Sequence, residues 1–449
     1  MRRAWLLRCA FLVLALFQAP VAAETRLSLP QARQFAVQLV QSGQPLAARA
    51  AALALLRHDP NDVVALIVLS RAARDLGDYR PAEAAARRAF RIAQTDKDRF
   101  SAALAMAQAL ASHGRHGAAQ LWLRRAADVA PDARHRMVAV RDFAYVKSRN
   151  PWRATFDFGA FPSSNVNDGP VTNTIVIGGI EFSNPDAVPL SGFGLSAAAD
   201  LQRHWELGPT SRIVLGLAGN VTEYRLSDAA RAAVPSARAS DFGKAGLSAS
   251  IGWARQDGPT QLSVTVQGGR DWQAGATLAD WRQLRLGYGR AFAEDRRLNL
   301  GFSLTDTDRH DAALRSSLRS AVDLGWSWGA PGADGWALGL SIGRVASGAA
   351  SVARREAELR LDWQDAQPLL GAELSAFASI GLKLYDRPLY IADARRDVTA
   401  QLGLSAVLVK LDYLGFAPEV GVTFSQTDSN ITAMTTRKAE LRLGVKSTF

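Results

Sequence analysis

The chain has 449 residues, more than one ordinary hydrophobic core accommodates, so we expect at least two domains. Its formal net charge is +11, and 48% of its residues are hydrophobic. Its one cysteine, Cys9, lies near the start, which excludes disulfides, thiolate metal sites and a cysteine nucleophile from the rest of the chain.

Residues 1–23 have the pattern of a secretory signal peptide. Three arginines precede an apolar run from Phe11 to Phe17, and small residues stand before a predicted cleavage site ahead of Glu24. The apolar run is far shorter than the roughly 20 residues that a spanning helix needs. The pattern therefore predicts an exported protein, and Cys9 falls within the predicted leader.

The positive charge is concentrated in the first half of the chain. Residues 24–150 hold 20 Lys and Arg against 11 Asp and Glu, whereas residues 151–449 hold 30 against 31. Because the chain carries an export signal, we expect this basic surface to meet outer-membrane lipid headgroups or an acidic client protein, and no nucleic acid. The alternative is a solvated basic face without a partner.

Residues 24–149 predict an all-α helical-repeat domain. Residues 24–150 contain 4 of the 36 glycines, and apolar residues recur there at helical spacing. Three glycines are each followed, five positions later, by an alanine. The pairs are Gly43 with Ala48, Gly77 with Ala82, and Gly114 with Ala119. This repeat resembles the tetratricopeptide repeat, in which glycine permits the interhelical turn and alanine allows close packing, and such stacks bind peptides or proteins.

Beyond Trp152 the hydrophobic period changes from 3.6 to 2. Leu262, Val264 and Val266, for example, alternate with polar residues. Long segments with charge on one face suit a barrel with lipid outside and water inside, and closure leaves no sheet edge unpaired in lipid. The second half therefore predicts an antiparallel transmembrane β-barrel.

The connections predict the number of strands. Counting back from the last strand gives fourteen, starting near Val171, so we assign the barrel to residues 171–449 and a lead-in segment to residues 150–170. The segment from Arg153 to Phe161 has two interpretations, as part of the lead-in or as the true first strand. The short turns lie at Leu207–Thr210, Gln256–Pro259, Glu294–Arg296, Gly329–Gly335, Asp365–Pro368 and Tyr413–Pro418.

The last twelve residues alternate without interruption and end on phenylalanine. Leu441, Leu443, Val445 and Phe449 share one face, which we predict to be the signal that barrel assembly machinery recognises. An edge strand of a soluble sandwich is the alternative for this segment taken alone.

Two short motifs at the junction resemble those of the surface lipoprotein assembly modulators, the Slam family. They are Asn150-Pro151-Trp152 and, within Ser164–Asn167, the residues Asn165, Val166 and Asn167. The resemblance implies a fourteen-stranded outer-membrane barrel with a periplasmic N-terminal domain. It also implies a role in moving surface lipoproteins or secreted haem-binding proteins to the cell surface, with periplasmic chaperones as further partners. The two asparagines either cap a turn or serve this function.

The sequence contains no catalytic constellation, so we expect no enzyme activity, cofactor or metal. His113 and His116 flank a turn without a carboxylate partner, and Asp306, Asp308 and Asp311 suit a solvated loop better than a calcium site. A porin or a polysaccharide export channel with a periplasmic repeat domain remains the alternative function. It is favoured by charged positions on the polar face: Arg285, Arg360, Arg442 and Lys446.

Overall fold

The computed structural model describes residues 27–177, 180–330, 332–388 and 393–448. The predicted leader and Phe449 lie outside the described residues. The chain divides into two compact units, Met1–Val146 and Lys147–Phe449. No helix in the described part is both long and apolar enough to span a membrane.

The described part of the first half contains helices and no strand, and from α1 to α6 each helix packs against the next one along the chain. Helices α1 and α3 also contact each other, as do α3 and α5, which is the neighbour pattern of stacked helical hairpins. The helices are α1 (Leu29–Gln41), α2 (Pro45–His58), α3 (Val63–Asp75), α4 (Tyr79–Ile92), α5 (Asp96–Ser112), α6 (His116–Asp128) and α7 (Ala133–Arg149).

The three repeated glycines occupy equivalent turns after α1, α3 and α5. Gly43, Gly77 and Gly114 have φ values of 69°, 83° and 75°, which lie in the left-handed region that favours glycine. The residue after each glycine donates its N–H to the carbonyl five positions back. These bonds join Gln44 to Leu39, Asp78 to Ala73 and Arg115 to Leu110, at 2.9, 2.8 and 2.9 Å. The sequence repeat is therefore a repeated turn.

The alanines of the same repeat lie where the helices of each hairpin meet. Ala48, Ala82 and Ala119 are completely buried, in α2, α4 and α6. Since a methyl group fills each contact, a larger side chain has no room without moving the helices apart.

The second half contains sixteen described strands, of which fourteen form a closed antiparallel barrel: β1 and β4 to β16. Each pairs with its neighbours in sequence, and β1 closes the ring between β4 and β16. The strands are β1 (Trp152–Ser163), β2 (Thr174–Ile177), β3 (Ile180–Ser183), β4 (Gly192–Glu206), β5 (Ser211–Leu226), β6 (Lys244–Asp257), β7 (Thr260–Gln273), β8 (Ala276–Ala293), β9 (Arg296–Arg309), β10 (Ser317–Trp328), β11 (Gly335–Ser347), β12 (Arg354–Gln364), β13 (Glu373–Pro388), β14 (Ala394–Val407), β15 (Phe416–Ser429) and β16 (Thr436–Ser447).

The predicted number of strands is confirmed, but the predicted start near Val171 is wrong, and of the two interpretations of Arg153 to Phe161 the structure has the true first strand. Residues 150–170 are not a lead-in, because they contain β1, which pairs with β4 along its whole length. Residues near Val171 lead instead into β2 and β3, which pair with each other outside the barrel. At four residues each they are too short to cross a bilayer, which takes about 9–11 residues per strand. The total remains fourteen because the prediction counted the region of the β2–β3 hairpin as the first barrel strand and left out β1.

The two ends of the barrel carry different connections. We call the end from which β1 starts the terminal end, and all six predicted short turns lie there, joining β4–β5, β6–β7, β8–β9, β10–β11, β12–β13 and β14–β15. The opposite end, the loop end, carries the β2–β3 hairpin and a short helix, α8 (Asp228–Ala233).

The outer face of the barrel is apolar and exposed. Leu262, Val264 and Val266 of β7 are 42%, 39% and 52% exposed, and Leu404 of β14 is 68% exposed. In a soluble protein such a surface would be unfavourable, whereas lipid tails are its natural solvent. Tryptophans gather at the terminal end, as in an interfacial belt. They include Trp152, Trp205, Trp253, Trp326, Trp328, Trp336 and Trp363.

Candidate functional site

The lumen of the barrel is lined by ion pairs. Near the loop end, Glu356 accepts hydrogen bonds from Arg319 at 2.7 Å and from Arg354 at 2.9 Å. Two strands further on, Arg395 pairs with the buried carboxylate of Asp397 at 2.7 Å. These arginines are therefore neutralised by carboxylates on the same inner face.

A cavity of about 840 Å³ lies at the terminal end of the barrel. Its polar lining includes Arg297, Arg360, Asp362, Glu419 and Arg442. The Arg360 guanidinium binds both oxygens of Asp362 at 2.7–3.0 Å and stacks over the Phe377 ring at 3.9 Å. The lumen thus combines charge with aromatic surface at this end.

The seam, by which we mean the facing edges of β1 and β16, is the most weakly paired junction among the described barrel strands. Its cross-strand partners are Gly159–Gly444, Ala160–Leu443 and Ser163–Glu440. Every other pair of adjacent barrel strands has partners at eleven or more positions. Pro162 contributes to the difference, since it has no N–H to donate and is typical of edge strands.

The lumenal side of the seam is bridged by one ion pair. Arg442 of β16 donates a hydrogen bond to Asp157 of β1. Its guanidinium lies over Gly159, where an added Cβ would come within 2.9 Å of the Arg442 Cζ atom. Glycine at this position therefore makes room for the bridging side chain.

The loop end of the seam is closed by Asn165. Its side-chain amide donates to the carbonyls of Gly169 at 2.8 Å and Arg437 at 3.1 Å, and its oxygen accepts from the Gly169 N–H. Because Arg437 belongs to β16, this buried side chain ties the first loop to the last strand. The adjacent Ser164 N–H bonds to the Ala439 carbonyl at 3.0 Å.

Val166 and Asn167 organise the same loop. Val166 is buried against Leu190 and Leu226. The Asn167 side chain donates to the Val188 carbonyl at 2.9 Å and accepts from the Leu190 N–H at 2.8 Å. Both asparagines thus have the turn-capping geometry that was one of the two interpretations of this motif.

The first loop also reaches over the inner face of the barrel. The Asp168 carboxylate lies 3.5 Å from Lys438 of β16 and 3.9 Å from Lys244 of β6. Because β1, β4 and β5 separate these two strands, Asp168 extends the loop across the mouth at the loop end.

The other junction motif begins the barrel. The Asn150 side chain accepts a hydrogen bond from the Trp152 N–H at 3.0 Å, and the Pro151 carbonyl accepts one from the His204 N–H at 2.9 Å. The Arg203 guanidinium lies over the Trp152 ring, 5.0 Å from the ring centroid. This motif therefore fixes the start of β1 against β4.

Of the predicted assembly-signal residues, three are described. Leu441, Leu443 and Val445 are 39%, 49% and 52% exposed on the apolar face of β16. Recognition by assembly machinery stays a prediction, and Phe449 lies outside the described residues.

Two of the residues singled out for metal chemistry, His113 and Asp311, are engaged in other contacts. His113 bonds through Nδ1 to Glu83 at 2.8 Å, and Arg115 bonds to the same carboxylate. In the loop after β9, two hydrogen bonds from Arg309 hold the pKa of the Asp311 carboxyl well below its usual range. Within the described ranges no group of three or more His, Cys, Asp or Glu is placed to hold a metal ion.

Comparison with known proteins yields structural similarity alone. No protein-family model matches the chain, and no curated protein matches it in sequence. Among solved structures, Pseudomonas aeruginosa OccK9 (OpdG) is 13% identical, with a TM-score of 0.35, over 65% of this chain and 97% of its own. An anion-selective porin from Comamonas acidovorans is 12% identical, with a TM-score of 0.37, over 66% and 100%. A bacterial polysaccharide outer membrane secretin is 10% identical, with a TM-score of 0.33, over 65% and 98%.

Similarity at this level does not bear on function, and the class of the protein follows from its own geometry. A closed barrel of fourteen antiparallel strands, with an apolar outer face and a polar lumen, has the fold of an outer-membrane β-barrel protein. The fold points to the outer membrane as its location.

Proposed function

We propose that this protein is an outer-membrane translocation factor that moves client proteins from the periplasm to the cell surface. The clients are surface lipoproteins or secreted haem-binding proteins, which is what the resemblance to the Slam family implies. The helical-repeat domain lies in the periplasm and receives the client or its chaperone, and the barrel passes the client outward without enzymatic chemistry.

The observation that carries this proposal is the combination of a stacked-hairpin domain with a barrel whose seam has few described cross-strand partners. Helical stacks of this kind bind polypeptides along their surface. A passive channel gains nothing from a weak seam, because solutes pass along its axis. A protein that handles polypeptide strands does gain from a sheet edge that accepts them.

The lumenal charges do not favour a porin over a translocation factor. Of the four basic residues that motivated the channel alternative, Arg360 and Arg442 are paired with Asp362 and Asp157, whereas Arg285 bonds to the uncharged Gln283. Paired charges set up a weaker field for a diffusing anion than unpaired arginines would.

The test is surface display in a Gram-negative host. A candidate β-rich lipoprotein with an epitope tag is expressed with the full chain, without it, and with the chain lacking residues 27–146. The proposal predicts that antibody labels intact cells only when the full chain is present. Equal labelling without the chain, at equal lipoprotein levels, would contradict it.

Conductance in a planar bilayer distinguishes a channel from a translocation factor. Large, steady currents through the purified protein, together with uptake of small solutes into vesicles, would identify a porin. A translocation factor is expected to conduct little in the absence of a client.

A further inference from the structure

Two arginines face each other on the outer surface of the barrel. Arg344 of β11 and Arg355 of β12 are directly opposite cross-strand partners, and both side chains are exposed. Because side chains alternate along a strand, they share the outer face with Ile342 and Leu359, which are 56% and 44% exposed. Like charges directly opposite each other on a sheet repel, so an anion between the two guanidinium groups would stabilise this pair.

Within the described ranges, one carboxylate serves these two arginines. Asp386 of β13 lies 3.4 Å from Arg344, and no other described acidic side chain lies within ion-pair distance of Arg344 or Arg355. Residues 389–392, which follow β13 and are not described, contain no aspartate or glutamate. Glu356 is adjacent in sequence, but its carboxylate faces the lumen, where two other arginines bind it. The outer pair therefore keeps a net positive charge.

Another basic side chain on the outer face is neutralised by its cross-strand partner. Arg270 of β7 is opposite Asp280 of β8, and its guanidinium binds both carboxylate oxygens, at 2.6 and 2.8 Å. Alternation places Arg270 on the same face as the lipid-facing Val266. At β11 and β12, by contrast, part of the counter-charge has to come from outside the sheet.

The arginine pair lies at the level of lipid headgroups. Trp336 and Trp363, which are also cross-strand partners, belong to the tryptophans at the terminal end. Arg344 is eight positions from Trp336 along β11, and Arg355 is eight positions from Trp363 along β12. A tilted strand takes about 9–11 residues to cross a bilayer. The arginines therefore reach the opposite interface, that of the leaflet at the loop end.

A hollow of about 440 Å³ lies beside the two arginines on the outer face. Ala357 is one outer-face position nearer the membrane centre than Arg355, and its small side chain stands between Ile342 and Leu382, its cross-strand partners. A groove that suits a hydrocarbon chain is thus left between two larger side chains. The apolar lining of the hollow comprises Phe302, Val322, Ile342, Ala357, Leu382 and Leu384.

We propose that this hollow binds one phosphate-bearing lipid of the surrounding membrane. The lipid phosphate lies between the guanidinium groups of Arg344 and Arg355, and an acyl chain lies in the groove over Ala357. Arginine matches phosphate oxygens with bidentate, charge-assisted hydrogen bonds. The apolar lining favours a lipid over a free phosphate, because only a lipid fills both parts of the site. The inference is independent of the proposed translocation function.

The test is native mass spectrometry of the purified full chain in detergent micelles, with dioleoyl phosphatidic acid as the probe. Dioleoylglycerol has the same acyl chains without the phosphate, and inorganic phosphate has no acyl chain. We expect a single saturable adduct of phosphatidic acid, weaker binding of dioleoylglycerol, and no displacement by equimolar inorganic phosphate. Lack of a saturable adduct, equal binding of dioleoylglycerol, or displacement by inorganic phosphate would each overturn the lipid site.

The charge requirement is tested with Arg355→Gln. We expect this change to weaken the binding of phosphatidic acid by roughly tenfold, since a charge-assisted bond to phosphate is lost. Arg270→Gln is the matched control, because Arg270 also lies on the outer face near the loop end but is bound to Asp280. It should leave the affinity unchanged. An unchanged affinity in Arg355→Gln, or an equal loss in Arg270→Gln, would contradict a defined site.

The acyl groove is tested without a change of charge. Ala357→Phe fills the groove, and we expect it to weaken the binding of phosphatidic acid by roughly fivefold. The control is Ala400→Phe, since Ala400 lies on the outer face between Ile380 and Gln426. Equal affinities in the two variants would overturn the lipid site. A normal heat-modifiable band for each variant shows that the barrel has folded.

Discussion

Arg442 of the last strand donates a hydrogen bond to Asp157 of the first, across the junction with the fewest cross-strand partners among the described barrel strands. The two residues lie near opposite ends of the barrel sequence and meet only because the sheet closes. Their side chains bridge the lumenal face beside the Gly159–Gly444 pair. The ion pair thus acts as a latch on the seam.

Loss of this ion pair should lower the thermal stability of the barrel. We expect Asp157→Asn and Arg442→Gln each to lower the temperature at which the folded, heat-modifiable band is lost. Both side chains are partly exposed, so the effect of either change should be modest. The measurement is band intensity after stepwise heating.

Arg360→Gln serves as the matched control for the latch. Arg360 also faces the lumen and binds an aspartate, but Asp362 lies on the same strand. Its loss should leave the seam unchanged. If Arg360→Gln lowers the melting temperature as much as Arg442→Gln, the ion pair at the seam has no special role.

Replacing two different glycines of the repeat domain by alanine should change the stability of the domain in opposite directions. Gly77→Ala places a Cβ at φ 83° and should destabilise the domain by about 1–2 kcal/mol. Gly117 lies within α6 with open space around an added Cβ. Gly117→Ala should therefore stabilise by roughly 0.5–1 kcal/mol. Thermal unfolding followed by the helical circular dichroism of the full chain measures both, and equal shifts in the same direction would refute the role assigned to the turn.

Two alanines of α4, one buried and one exposed, should differ in how much their replacement by leucine destabilises the domain. Ala82 is fully buried, so Ala82→Leu should cost about 1–3 kcal/mol through overpacking. Ala84 is exposed on the same helix, and Ala84→Leu should change stability by less than about 0.5 kcal/mol. Chemical denaturation of the helical signal compares the two. Similar costs for both substitutions would mean that the helices do not pack through Ala82.

The loop after β9 should respond to acid. Hydrogen bonds from Arg309 lower the pKa of Asp311 in the folded state, so this pair stabilises the loop above the ordinary aspartate pKa of about 3.9. The contribution is lost as pH falls through the lowered folded-state pKa. Protection of the amides of residues 310–316 against hydrogen exchange, relative to their intrinsic exchange rate at each pH, should therefore fall at low pH, and less so in Asp311→Asn. Protection that falls equally in both proteins would contradict this assignment.

The sequence was informative wherever structure is local. Glycine spacing predicted the turns at Gly43, Gly77 and Gly114, period-2 alternation predicted a barrel, and the six short turns, rich in Gly, Pro or Asp, predicted the number of strands. These patterns depend on a few consecutive residues, because turn formation and side-chain alternation need no distant partner.

The sequence was misleading where the barrel closes. Alternation marked Arg153 to Phe161 as a possible strand, yet whether it joins the sheet depends on its pairing with β4 and with β16 at the far end of the chain. No local pattern encodes that pairing. The Asp157–Arg442 bridge and the short seam were missed for the same reason, although Pro162 was a visible sign of an edge strand.

Reconstitution in liposomes isolates the translocation step from the rest of the cell. The purified full chain is inserted into liposomes, and the tagged lipoprotein is released from a periplasmic chaperone on the side of the helical domain. We expect the tag to become accessible on the opposite side of the bilayer, and liposomes without the protein to give no signal. A tag that stays on the side of release, in the presence of folded barrel, would contradict translocation by this protein.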